Sequence, residues 1–173
     1  MNGTASAVND EISAYVPGDS IGYLVTRVRS AIYNLTNNRT MAQLGITGQQ
    51  GSILFMVASG RCVVAAELAR EYGINASAVT RLTSRLEKRG LLSRVRSSED
   101  RRVVSLMVTP AGSAIAGKMP AIVNGVLDSL LSGLTAEEVG FLKSMLRRVL
   151  VNSGCDLLGL TLDVATGSHS KWR

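Results

Sequence analysis

Three observations predict a mainly helical chain with one small β-hairpin, an α+β class. Residues 64–92 hold two short amphipathic patterns joined by a glycine turn. Across residues 91–108 the apolar period falls from that of a helix to the two-residue alternation of strands, around a polar SSEDRR tip at 97–102. Flanking segments on both sides carry more apolar surface than so small a lobe needs for its own core. Together these describe a winged helix-turn-helix with N- and C-terminal helices forming a dimerisation region. The expected division is 1–45 arm and first dimerisation helix, 46–108 winged lobe, 109–152 C-terminal dimerisation helices and 153–173 tail.

Residues 1–18 lack periodicity and end in Pro17-Gly18, which reads as an arm or a short frayed helix. From Asp19 or Ser20 a helix is expected, with Ile21, Leu24, Val28, Ile32 and Leu35 on one stripe until Asn37-Asn38 weakens the pattern. Tyr23, Val25 and Ala31 widen that stripe and suggest more than one partner surface. Thr47 and Gln50 form a capping-box pattern that opens a second helix through Ile53, Leu54 and Val57 to about Ser59-Gly60. Next, Leu68 and Ala69 point inward, Gly73 closes the helix, Ile74 plugs the turn and Asn75 caps its successor. Val79, Leu82 and Leu86 then recur at spacings of three and four, and Gly90 ends the pattern.

In the hairpin, Leu91 and Val95 are expected on one face of the first strand, with Val104, Leu106 and Val108 on one face of the second. Thr109-Pro110 starts a long helix striped by Ile115, Met119, Ile122, Val126 and Leu130, which Pro120 should kink. Thr135 and Glu138 form another capping box, with Leu134 and Val139 placed as a hydrophobic staple. Val139, Leu142, Leu146 and Val149 continue that stripe to Asn152. In the tail, Leu157, Leu158, Leu160 and Leu162 could pack on a partner.

The face opposite Val79, Leu82 and Leu86 carries Ser77, Thr80, Arg81, Ser84, Arg85 and Lys88, hydroxyls and cations suited to phosphates and base edges in a major groove. A cationic outer face alone is the ordinary property of a solvated helix. The wing after it changes the reading, because its Arg96, Ser97, Ser98 and Arg101 offer contacts to the minor groove or flanking backbone. Residues 61–102 hold ten basic against five acidic side chains, so +5 of the net +6 charge is focused there. A double-stranded, pseudo-palindromic operator bound by a homodimer follows, since one helix reads only a few base pairs. The alternative is a winged-helix protein-interaction module without a specific DNA target.

Other classes fit poorly. Aromatics at 4% are too few for a single-strand stacking platform. An enzyme is not expected: the sole histidine is His169 in the tail, Glu137-Glu138 opens a helix, Glu99-Asp100 belongs to the wing, and no phosphate loop appears. Cys62 and Cys155 lack partners at metal-ligand spacing, so no metal or cofactor is expected and both read as reduced thiols, although Arg61 hints at redox sensing by Cys62. Apolar runs such as 53–58 are far too short to span a bilayer, no secretory leader is recognised, and a cytoplasmic protein is expected.

The run LAREYGINASAVTRLTSRLEKRGLLSRVRSSEDRRVVSLMVTPAG resembles the MarR-type (multiple antibiotic resistance regulator) winged-helix repressors, a likeness extending over about residues 20–152. Its carriers are Val79-Thr80-Arg81, residues 86–91 (LEKRGL), Asp100-Arg101-Arg102 and Thr109-Pro110 with Gly112. The resemblance implies an obligate homodimer with intertwined terminal helices, a recognition helix in the major groove and a wing at the minor groove. It also implies that Asp100 pairs with Arg102 to shape the wing, leaving Arg101 or Arg96 freer for DNA. A small aromatic or phenolic acid effector is implied, bound where dimerisation helices meet the lobe, with Tyr23, Tyr33, Phe55 and Met56 as lining residues. The urate-responsive branch has a tryptophan in the first helix and the peroxide-sensing branch an early cysteine. Here the tryptophan is Trp172 and no cysteine precedes Cys62, so neither mechanism is expected.

Overall fold

The computed structural model describes residues 16–96 and 104–154. After a 3-10 turn at Pro17–Asp19, the order is α1 (Ile21–Leu44), α2 (Gly48–Ala58), α3 (Ala65–Tyr72), α4 (Ala76–Lys88), β1 (Leu92–Arg96), β2 (Val104–Val108), α5 (Pro110–Ala116), α6 (Met119–Leu130) and α7 (Ala136–Asn152). The chain forms two compact units, 1–130 and 131–173. The first is a winged helix-turn-helix with flanking helices, matching the predicted class.

Local chemistry sets most boundaries. Ser20 caps α1, and the helix runs through Asn37-Asn38 to Leu44, where Gly45 at φ 65° closes it. Asn37 does not break the helix because its side-chain oxygen accepts from the Gly48 amide at 3.1 Å, joining α1 to the start of α2. Both halves of the Thr47–Gln50 capping box form, at 3.2 and 3.1 Å. Ile46, Ile53, Leu54, Leu68, Val79, Leu86 and Leu92 are fully or almost fully buried and make one core beneath α2, the helix-turn-helix and the hairpin.

The hairpin corrects one expectation. Leu91 is buried, yet it precedes the strand, and Val95 is 44% exposed. Gly90, at φ 68°, turns the chain so that the Leu91 amide donates back to the Leu86 carbonyl at 3.0 Å, a helix-closing bond. The strand therefore begins one residue late, and a shift of one residue exchanges the two faces. Leu92, Arg94 and Arg96 pair with Val108, Leu106 and Val104 respectively. A further short pairing, Leu106 amide to Val63 carbonyl at 2.7 Å with a bridge between Val64 and Ser105, adds a third edge too brief to leave a sequence pattern.

The long helix predicted after Thr109 is interrupted, as the proline led one to expect, with the break at Gly117-Lys118 ahead of Pro120. Proline lacks the amide that would donate to Ala116, and its ring crowds that carbonyl, so α5 ends at Ala116 and Pro120 sits in the first turn of α6. Met119, Ile122 and Val126 of the predicted stripe are buried.

In the second unit, α7 opens with the complete Thr135–Glu138 capping box. None of its residues is buried; Phe141 is 66% and Val149 61% exposed. α1 buries only Thr36 and Thr40, while Ile21, Leu24, Val28, Tyr33 and Leu35 stay exposed. Each helix thus offers an apolar face of its own.

Candidate nucleic-acid interface

Helix α4, the second helix of the helix-turn-helix, is set by its ends and its buried side. Gly73 at φ 59° takes the left-handed turn after α3, and Asn75 caps α4 by accepting from the Ala78 amide at 2.8 Å. Val79, Leu86 and Thr83 are buried and Leu82 is half-buried. Thr83 is polar yet satisfied, donating to the Val79 carbonyl at 3.0 Å or the Thr80 carbonyl at 3.1 Å.

Opposite this stripe, 3.6 residues per turn place Ser77, Thr80, Arg81, Ser84, Arg85 and Lys88 within an arc of roughly 140°. Five of the six, all but Ser77, line an open depression of ≈ 260 Å³. Ser77 lies at the N-terminal edge, where its hydroxyl donates to Asn75 at 2.8 Å. Arg81, Arg85 and Lys88 make no ion pair or side-chain hydrogen bond with any described residue.

Arg96 ends β1 with an exposed side chain. Ser97, Ser98, Asp100, Arg101 and Arg102 lie outside the described residues, so the expected wing contacts and the Asp100–Arg102 pair do too. Sequence reasoning missed Arg94. From β1 its Nη2 donates to Thr83 and Ser84, each at 3.1 Å, while Nε lies 3.4 Å from the Glu87 carboxylate. The missed signal was parity: with the strand starting at Leu92, Arg94 falls on the inward-facing side.

Two longer links join α1 to neighbouring elements. Arg89, just after α4, donates to the Gly45 carbonyl at 3.0 Å, and Arg39 of α1 donates to Ser129 of α6 at 2.9 Å.

The residues expected to line an effector pocket are spread out. Tyr23 and Tyr33 are exposed on α1, about 15 Å apart along the helix axis at 1.5 Å per residue. Phe55 is partly exposed on α2, whereas Met56 is in the core, where its sulfur accepts from the Cys62 thiol at 3.8 Å. Within one chain the two tyrosines therefore do not share a small site.

Burial pushes the Cys62 thiol pKa above its ordinary 9.0, Glu71 and Glu67 push it further, and Arg61 and Arg70 offset this only in part. That direction works against the thiolate that redox sensing would need. Burial also raises the half-buried Tyr72 phenol from 10.0 to about 12, with Ser52 lowering it only in part. Both groups keep protons when folded that the unfolded chain releases. Their contribution is complete below pH 9.0 and is lost as pH rises toward the folded values. Urea midpoints should therefore fall across that alkaline range, and Tyr72→Phe should flatten the fall; an unchanged slope would show that Tyr72 is not its source.

No helix among the described residues is long and apolar enough to cross a membrane. The MarR family model matches residues 46–104. Over 145 residues, 83% of this chain and 98% of the relative, the chain is 26% identical to the multiple antibiotic resistance protein MarR of Escherichia coli. It is 30% identical over 100 residues to the HTH-type transcriptional repressor MdtR of Bacillus subtilis, covering 58% of this chain and 64% of that one. Among solved structures, a cysteine mutant of E. coli MarR complexed with operator DNA superposes with a TM-score of 0.68 at 29% identity, covering 75% of this chain and 93% of that chain. Residues 46–104 thus match the MarR family model, and the fold and these likenesses agree in making the chain similar to the MarR winged-helix transcriptional regulators.

Proposed function

We propose that the protein is a dimeric, sequence-specific DNA-binding repressor released from its operator by a small aromatic or phenolic effector. The observation that carries the DNA reading is the outer face of α4, where three cations without a described partner surround two hydroxyls opposite a buried stripe. That the similar E. coli protein has been solved in complex with operator DNA supports a DNA partner for this fold. Arg81, Arg85, Thr80, Ser84 and Lys88 enter the major groove, with Ser77 at its edge. Arg96, Ser97, Ser98 and Arg101 serve the minor groove, with Asp100 and Arg102 shaping the wing.

Dimerisation supplies the second reading head, on half-sites about 34 Å apart. The exposed apolar faces of α1 and of α7 support it, because a second copy would cover surface that water otherwise meets. Sizing should give a dimer for the full chain and for a form ending at Asn152; a monomeric truncation would place the tail in the interface.

A salt titration on duplex DNA tests the central claim. With six to ten phosphate contacts, affinity should fall by about 10³–10⁵ between 50 and 200 mM salt as counterions are released. Absence of binding at low salt would leave the protein-interaction reading. Tyr23, Tyr33, Phe55 and Met56 are the proposed effector-lining residues, and phenolic acids that bind should raise the melting temperature by mass action.

A further inference from the structure

The three hydroxyls on the outer face of α4 hold their protons differently. Ser77 donates to the Asn75 side-chain oxygen at 2.8 Å, and Thr80 donates to the Ala76 carbonyl at 2.9 Å. Both therefore face outward as acceptors, the wrong sense for a phosphate oxygen. Ser84 differs. Arg94 Nη2 lies 3.1 Å from its oxygen, and because a guanidinium only donates, Ser84 must accept. No described residue takes the Ser84 proton, so it is available to a ligand.

Arg94 is itself held in place. Its Nη2 also reaches buried Thr83 at 3.1 Å, its Nε faces Glu87 at 3.4 Å, and its backbone pairs with Leu106 of the core. One planar side chain thus spans three residues of α4, which a lysine, acting as a point charge, cannot reproduce. Without it, Ser84 can turn its proton back onto the carbonyl four residues earlier, as Thr80 does.

We propose that Arg94 is a positioning residue for specificity: by occupying the acceptor side of Ser84, it presents that hydroxyl as a donor to one acceptor on the DNA, a phosphate oxygen or a purine N7. The inference rests on the DNA-binding reading above. It assigns opposite hydrogen-bonding senses to neighbouring hydroxyls of one helix face, with the strand rather than the helix deciding.

The test uses the full chain and a duplex that it enriches from a random-sequence pool. Purines are replaced singly by 7-deazapurines to remove N7, and phosphates singly by methylphosphonates to remove the charged oxygen. Wild type should lose affinity at several modified positions, and one of them per half-site, with a loss of roughly three- to tenfold, the scale of one hydrogen bond, is the Ser84 contact. A deazapurine position identifies a base contact and a methylphosphonate position a backbone contact.

Ser84→Ala, Arg94→Ala and the charge-preserving Arg94→Lys should all become insensitive at that position while keeping wild-type sensitivity elsewhere. The double variant should add nothing to Ser84→Ala there. Weaker binding to every duplex alike would mark a merely structural role and overturn the proposal. So would wild-type sensitivity in Arg94→Lys, or the lack of any position that Ser84→Ala silences. Failure of wild type to enrich any sequence would instead overturn the DNA-binding reading, and this inference with it.

Discussion

Arg81→Ala is expected to weaken binding to a selected duplex by about 1–3 kcal/mol per half-site, the range of a bidentate arginine–guanine contact. The guanidinium stands near the middle of the outer face, beside the Thr80 and Ser84 hydroxyls, and has no described partner. DNA would thus engage it without first breaking an ion pair. A dimer carries the change twice at well-separated positions, where effects roughly add, so a symmetric duplex should lose on the order of 2–6 kcal/mol. The measurement is a titration of wild type and variant on the selected duplex and on a random one. Loss confined to the selected duplex makes Arg81 a base reader. Equal loss on both, with a salt slope shallower by about one, makes it a phosphate contact.

Gly112→Ala should cost about 2–3 kcal/mol of folding stability, read as a lowered urea midpoint at unchanged slope. A Cβ at Gly112 would run into the Leu91 carbonyl oxygen, with Leu54 close behind. The obstacle is backbone, and it cannot move freely because the same carbonyl accepts from the Thr109 amide at 3.2 Å. Thr109 also ties its hydroxyl to the Gly90 carbonyl at 2.7 Å. This corner joins the end of the recognition helix to the start of α5, and glycine lets the two backbones touch. A variant as stable as wild type would show that the corner relaxes. Gly117→Ala is the control, since its Cβ meets nothing closer than 3.5 Å.

Much of this molecule is written locally. The Thr47–Gln50 and Thr135–Glu138 boxes, the Asn75 cap, Gly73 and Thr109-Pro110 each act within a few residues, so their boundaries can be read from the chain alone. The outer face of α4 was legible for the same reason: with its ends capped and Val79 and Leu86 buried, helical geometry leaves the other side chains nowhere else to point.

Register was not local in this sense. Whether the strand began at Leu91 or Leu92 depended on a bond from Leu91 back to Leu86, and that one-residue difference exposed Val95 and turned Arg94 toward α4. The interruption at Gly117-Lys118 likewise came before the proline that causes it, because the missing donor acts four residues upstream.

By itself the sequence determined the class, the capped helix starts and which side of α4 is charged, since capping and periodicity are short-range. Only the tertiary structure decided which hydroxyl of that face accepts from Arg94 and gives its proton to no described residue. That depended on Arg94, ten residues along the chain from Ser84, being carried back across the helix by a strand whose register the core sets.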